Sequence, residues 1–150
     1  MDQVRTGINL ETSPGYLLKE AASALRTSME AVLRPLGMNI THYSCLELLA
    51  QRPGLSNAEL ARGAFVSRQS MNVLLQSLER DGLVSRAEQA PSGRALPTRL
   101  TSRGELQLRE ASAAVKAVET RMHADLTAAE LGQLQDLLGR CITGLSGPVA

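Results

Sequence analysis

Apolar residues recur along this chain with a helical period, and short breaker clusters cut the periodic stretches apart. Between Tyr16 and Leu33 they fall at Leu18, Ala21, Ala22, Leu25, Met29, Val32 and Leu33, which is the spacing of an amphipathic helix. The polar residues from Met1 to Pro14 precede it as a loose lead-in, with Ser13-Pro14-Gly15 as a breaker, and Arg34-Pro35-Leu36-Gly37 closes it. Thr41 is placed to cap a second helix that reaches about Gln51, with Leu46, Leu48 and Leu49 inside, before Arg52-Pro53-Gly54 stops it.

The next two segments are shorter and closer together. Ser56-Asn57-Ala58-Glu59 has the form of a capping box, in which serine and glutamate side chains satisfy each other's backbone amides. The helix it opens has Leu60, Ala61 and Ala64 as apolar positions and gives out near Phe65. Ser67 then caps a helix whose buried face is Met71, Leu74, Leu75 and Leu78. Its opposite side carries Arg68, Gln69, Asn72, Val73 and Gln76, and Gly82 ends it as a left-handed stop.

After Gly82 the period changes. Leu83 to Arg86 is β-like, Glu88 to Ala95 is a polar loop, and Leu96 to Leu100 alternates in period two, with Pro97 suited to an edge. These pieces predict a β-hairpin. A long helix follows from Ser102 to about Asp125, with Ser102 and Glu105 as a second capping box and Leu108, Ala111, Val115, Val118 and Met122 as its stripe. Thr127 and Glu130 cap a last helix with Leu131, Leu134, Leu138, Cys141, Ile142 and Leu145 on one face. The expected fold is mainly α with one small hairpin, in a single domain over 1–150.

A short helix, a tight turn and a second helix with a polar N-terminal face is the layout in which the second helix enters the major groove of DNA. Arg68, Gln69, Asn72 and Gln76 have donors and acceptors for base edges. Ser67 and Ser70 lie in the first turn, where free amides and the helix dipole favour a phosphate. Arg94, between Gly93 and Ala95 at the hairpin tip, is suited to a narrow minor groove. Each feature alone also fits a solvated surface; their conjunction points to double-stranded DNA.

Composition changes the picture only locally. The formal net charge is +1, but between Arg62 and Arg103 seven arginines outnumber Glu79, Asp81 and Glu88 by four. A basic surplus inside a near-neutral chain is the footprint of a phosphate-contacting module. Cys45, Cys141, His42 and His123 are too few and too scattered for a metal site, and no nucleophile–base pair stands out. No cofactor and no enzymatic activity are therefore expected. No apolar run spans a bilayer, and a cytoplasmic location with reduced thiols is expected.

The run PGLSNAELARGAFVSRQSMNVLLQSLERDGLVSR, followed by GRALPTRLTSRG, resembles the MarR family of bacterial transcriptional regulators. The resemblance covers about residues 36–104. It implies a winged helix-turn-helix at about 37–103, dimerisation helices at about 16–36 and 102–146, and a homodimer on a pseudo-palindromic operator, most simply as a repressor. On it, Ser67, Arg68, Gln69, Ser70, Asn72 and Gln76 match recognition-helix positions, and Arg94 matches the wing-tip arginine. Ser92 stands where the family usually has an aspartate that holds that arginine, Pro97 sits in the returning strand, and Gly63-Ala64-Phe65 replaces a commoner R-x-L-G run.

The resemblance also implies a small aromatic effector, near Met38, His42 and Tyr43. His42 fits an exposed first-turn position equally well, and Tyr43 fits the core. Cys45 lies on the same helix and reads as buried and inert, with a cysteine-based redox response as the alternative. Two other readings stay open: a helical interaction module that kept the winged shape and lost DNA binding, and a monomeric bundle in place of the dimer.

Overall fold

The computed structural model describes residues 7–86 and 97–148. Its elements, in order, are α1 (Pro14–Leu33), a 3-10 turn (Arg34–Leu36), α2 (Ile40–Gln51), α3 (Asn57–Gly63), α4 (Arg68–Arg80), β1 (Val84–Arg86), β2 (Thr98–Leu100), α5 (Ser102–Met122) and α6 (Ala128–Ser146). The expected loop at 88–95, with Ser92 and Arg94, lies outside the described residues.

Three helix starts differ from the sequence expectation, and each time a better-placed acceptor wins. Ser13 caps α1 two residues early, because Pro14 at the first position has no amide to satisfy and its fixed φ suits a helix start. Asn39, not Thr41, caps α2 by accepting from the His42 amide at 2.8 Å. Thr101, not Ser102, caps α5, so the expected Ser102–Glu105 box does not form. Thr101 Oγ1 accepts from the Gly104 amide at 3.1 Å and donates to the Gly82 carbonyl at 2.6 Å. The boxes at Ser56–Glu59 and Thr127–Glu130 do form.

The core gathers Leu33, Leu46, Leu49, Leu60, Met71, Leu75, Leu78, Val84, Leu108 and Ala111. It lies where α2, α3, α4 and the hairpin meet the N-terminal half of α5 and the C-terminal end of α1. Leu48, Leu74 and Ala64 are only partly buried at its edge. Of the α5 stripe, Leu108, Ala111, Val115 and Val118 are buried and Met122 is exposed. Helix α6 has no buried residue: Leu131 and Leu134 are half-buried, and Leu138, Cys141, Ile142 and Leu145 are exposed.

The hairpin is short and antiparallel, with Val84 opposite Leu100 and Arg86 opposite Thr98. Its base is tied to both neighbouring helices. The Leu83 amide donates to the Leu78 carbonyl of α4 at 2.9 Å, and the Thr101 amide donates to the Leu83 carbonyl at 3.0 Å. Gly104 permits this closeness, because a Cβ there would lie 2.1 Å from the Leu83 oxygen. These contacts join the end of helix α4, the hairpin base and the start of α5.

Candidate nucleic-acid interface

Helix α4 is positioned by its apolar side. Met71, Leu75 and Leu78 are fully buried, and burial of each large aliphatic side chain is worth roughly 1.5–3 kcal/mol. Packing of that stripe turns the opposite face outward. Ser67, Arg68, Gln69, Ser70, Asn72 and Gln76 are all exposed, as is Val73. Every sequence-predicted contact of this helix is thus exposed; Arg94 lies outside the described residues.

The first turn of α4 is partly self-satisfied. Ser67 Oγ accepts from the Ser70 amide at 3.1 Å and donates to Ser70 Oγ at 3.0 Å. The amides of Arg68 and Gln69 remain for an incoming anion. The turn before the helix is unusual. Phe65 adopts a left-handed conformation with φ 59° and is 93% exposed. It holds the place where the family's usual run carries glycine, a residue that adopts this conformation without steric cost.

Asn57, at the first position of α3, donates through Nδ2 to Asn72 Oδ1 at 3.4 Å. Sequence reasoning did not single it out, because a pairing across fifteen residues between separate helices leaves no periodic trace. At the far end of β1, the partly buried Arg86 leans toward Glu79 in the last turn of α4, with Nε 3.9 Å from Oε2. Arg62, Arg80, Arg99 and Arg103 are all exposed, so most of the basic surplus is available to phosphates.

Met38, His42 and Tyr43 do not converge within one chain. Met38 is buried in the core. His42 lines a cavity of about 620 Å³ with Leu36, Arg80, Asp81, Leu83, Arg103 and Gln107. Burial lowers its pKa, against a smaller upward pull from Asp81. Tyr43 faces a different cavity, of about 200 Å³, with Glu47, Gln51 and Gly63. Burial, reinforced by Glu47, pushes the Tyr43 phenol up to about 12. Burial pushes the Glu47 carboxyl up as well, but hydrogen bonds from Ser112, Gln51 and Tyr43 outweigh it and the net shift is downward. Cys45 is fully buried and burial pushes its thiol up to about 12. Burial thus disfavours the thiolate, the reactive form of a cysteine. Cys141 is exposed.

A short capped helix, a turn, an outward polar helix and an antiparallel hairpin against its end define a winged helix-turn-helix. The comparisons with known proteins agree. A MarR family model matches residues 36–95. The HTH-type transcriptional repressor Rv2887 of Mycobacterium tuberculosis is 44% identical over 124 residues, 83% of this chain and 89% of the relative. A crystal structure of that protein in complex with salicylic acid superposes with TM-score 0.72 at 42% identity, covering 87% of this chain and 96% of the other. One in complex with DNA superposes with TM-score 0.72 at 39% identity, covering 87% and 98%. This chain belongs to the MarR family.

Proposed function

We infer that this protein is a sequence-specific repressor that binds double-stranded DNA as a homodimer and leaves it when a small aromatic effector binds. The observation that carries the reading is the exposed row Arg68, Gln69, Asn72 and Gln76 on a helix whose other face buries Met71, Leu75 and Leu78. Each protomer would lay α4 in the major groove, with Ser67, Ser70 and the free amides beside them on phosphate and Arg94 in the adjacent minor groove. A dimer through α1, α5 and α6 would set the two helices about one turn of DNA apart, roughly 34 Å. A relative 44% identical carries the name of a repressor, and its DNA complex shares this fold. The domain division follows: reading lobe at about 37–103, dimer helices at about 16–36 and 102–146. Action is by binding rather than catalysis, in the cytoplasm. Among the described residues, no helix is long and apolar enough to cross a membrane.

For the effector we propose the His42 cavity. Arg80 and Arg103 offer cations to a carboxylate, and Leu36 and Leu83 offer apolar contact to a ring. Arg80 ends α4, so a ligand there bears directly on the reading helix. A relative's complex with salicylic acid supports the ligand class. Met38 and Tyr43 would act from behind, through the packing of α2.

A gel shift on the promoter region of the protein's own gene tests both parts. Binding at low salt, where phosphate contacts are strongest, and release by salicylate are expected. Substitution Gln69→Ala should lower discrimination against random DNA by roughly 1–3 kcal/mol. Absence of binding at low salt sinks the repressor reading; salicylate release unaffected by Arg103→Ala sinks the proposed cavity.

A further inference from the structure

Asn72 stands in the second turn of α4, one helical face with Gln69 and Gln76. A primary amide is an ambiguous reader. One end donates and the other accepts, and a half-turn about its last torsion swaps them at little steric cost. An asparagine free on both ends can meet a donor edge or an acceptor edge. In this protein one end is already engaged: Asn57 Nδ2 donates to Asn72 Oδ1 at 3.4 Å.

The donor is held on a firm platform. Asn57 is the first residue of α3, and the Ser56–Glu59 capping box fixes the backbone around it, with the Glu59 amide 3.2 Å from Ser56 Oγ and the Ser56 amide 3.3 Å from Glu59 Oε1. Leu60 and Ala61 are buried immediately after it, which sets α3 against α4. Among the described residues this is the side-chain hydrogen bond that joins the two helices of the motif.

We propose that Asn57 is a positioning residue for base reading. By occupying Asn72 Oδ1 it turns Asn72 Nδ2 toward the major groove, so that Asn72 demands an acceptor edge. Purine N7, guanine O6 and thymine O4 meet that demand, whereas cytosine presents its N4 amino donor. Oδ1 keeps a second lone pair, so paired contacts with adenine N6 and N7 stay open. Cytosine can meet that lone pair but offers Nδ2 no acceptor, so it is the base this arrangement disfavours. The inference rests on the proposed placement of α4 in the groove.

The variant Asn57→Asp makes the logic reversible. A carboxylate only accepts, so it draws Asn72 Nδ2 and leaves Oδ1 facing the groove. Preference at that base pair then moves toward a donor edge, cytosine N4 or adenine N6, on top of a general loss from the added negative charge.

The test uses the full chain and an operator selected from a randomised duplex library. Binding of wild type, Asn72→Ala, Asn57→Ala and Asn57→Asp is measured on the four variants of the base pair whose preference Asn72→Ala flattens. Wild type should disfavour cytosine by roughly tenfold. With Asn57→Ala that factor should shrink severalfold at this pair alone, and with Asn57→Asp it should invert. Melting curves confirm that the variants fold, and Asn57→Ser replaces Asn57→Ala if the alanine loosens α3. An equal loss on all four duplexes with Asn57→Ala marks a phosphate contact and overturns the proposal, as does no change at all; either leaves Asn72 a base reader. If Asn72→Ala flattens no base preference, its groove placement itself fails and the proposal falls with it.

Discussion

Helices α4 and α6 carry comparable apolar stripes and have opposite fates. In α4, Met71, Leu75 and Leu78 are fully buried against the rest of the reading lobe. In α6 no residue is buried, and exposure rises along the helix to 66% at Ile142 and 87% at Leu145. The N-terminal half of α1 shares the second fate, with Tyr16, Leu17 and Leu18 exposed while Leu33 at its other end is in the core. An amphipathic pattern says that a face needs a partner. It does not say whether the same chain supplies one. The reading lobe closes on itself, and the terminal helices leave apolar stripes exposed. A second copy of the chain is the occupant we propose.

The comparison is tested hardest by truncating one leucine on each stripe. Leu75→Ala should cost about 2–5 kcal/mol in urea unfolding, the usual range for a fully buried leucine. Leu145→Ala should cost little at low protein concentration and more as concentration rises, because its stripe is covered only in the dimer. A concentration-independent loss at Leu145 equal to that at Leu75 would place the α6 face inside the monomer fold.

Charges on α6 come next. The double variant Leu138→Glu, Ile142→Glu should sediment as a monomer and lose operator affinity by about 100-fold or more, because two linked half-sites gain at least that from effective concentration. Its binding to a single half-site should be unchanged. A variant that stays dimeric moves the interface elsewhere.

A smaller effect is expected at Phe65, beside the reading helix. The side chain is almost fully exposed and the backbone is left-handed, a conformation that costs a residue with a Cβ about 1–2 kcal/mol. Phe65→Gly relieves that cost but adds chain entropy to the unfolded state. The net should be a gain of up to about 1 kcal/mol in thermal unfolding. A loss would mean that the ring packs on something in solution.

The smallest effect concerns pH and the half-buried His42, between α2 and the end of α4. Burial holds its pKa below the ordinary value of 6.5. On acidification the unfolded chain therefore takes up a proton before the folded one. This contribution to stability is intact above pH 6.5 and is lost as pH falls from there toward the folded value. The melting temperature of wild type should drop relative to His42→Gln across that window. Parallel curves would show that His42 is ordinarily solvated.

Much of the fold was legible in the residues. The 3.6 period placed the helices, the capping boxes at Ser56 and Thr127 marked two starts, and Gly82 marked a stop that the structure forms with φ 75°. The polar row of α4 was legible because its apolar complement is so regular. Boundaries were less so, since Asn39 competed with Thr41, and Thr101 with Ser102, and only the surrounding backbone decides which oxygen reaches an amide. The neighbourhood of Met38, His42 and Tyr43 was less legible for a related reason. Residues one and five apart on or beside a helix point in different directions, and the structure separates them into core and two cavities.

By itself the sequence determined which helix faces are apolar and which are polar, because that follows from side-chain chemistry and helical period alone. It therefore set the reading helix, its outward row and the amphipathic character of the terminal helices. Tertiary structure alone decided the contacts between elements. It brought Asn57 to Asn72, Thr101 to Gly82 and Gly104 to the Leu83 carbonyl, and it left the α6 stripe uncovered. Those outcomes depend on where rigid helices come to rest against one another, which is fixed by the packing of the whole core and not by any local run of residues.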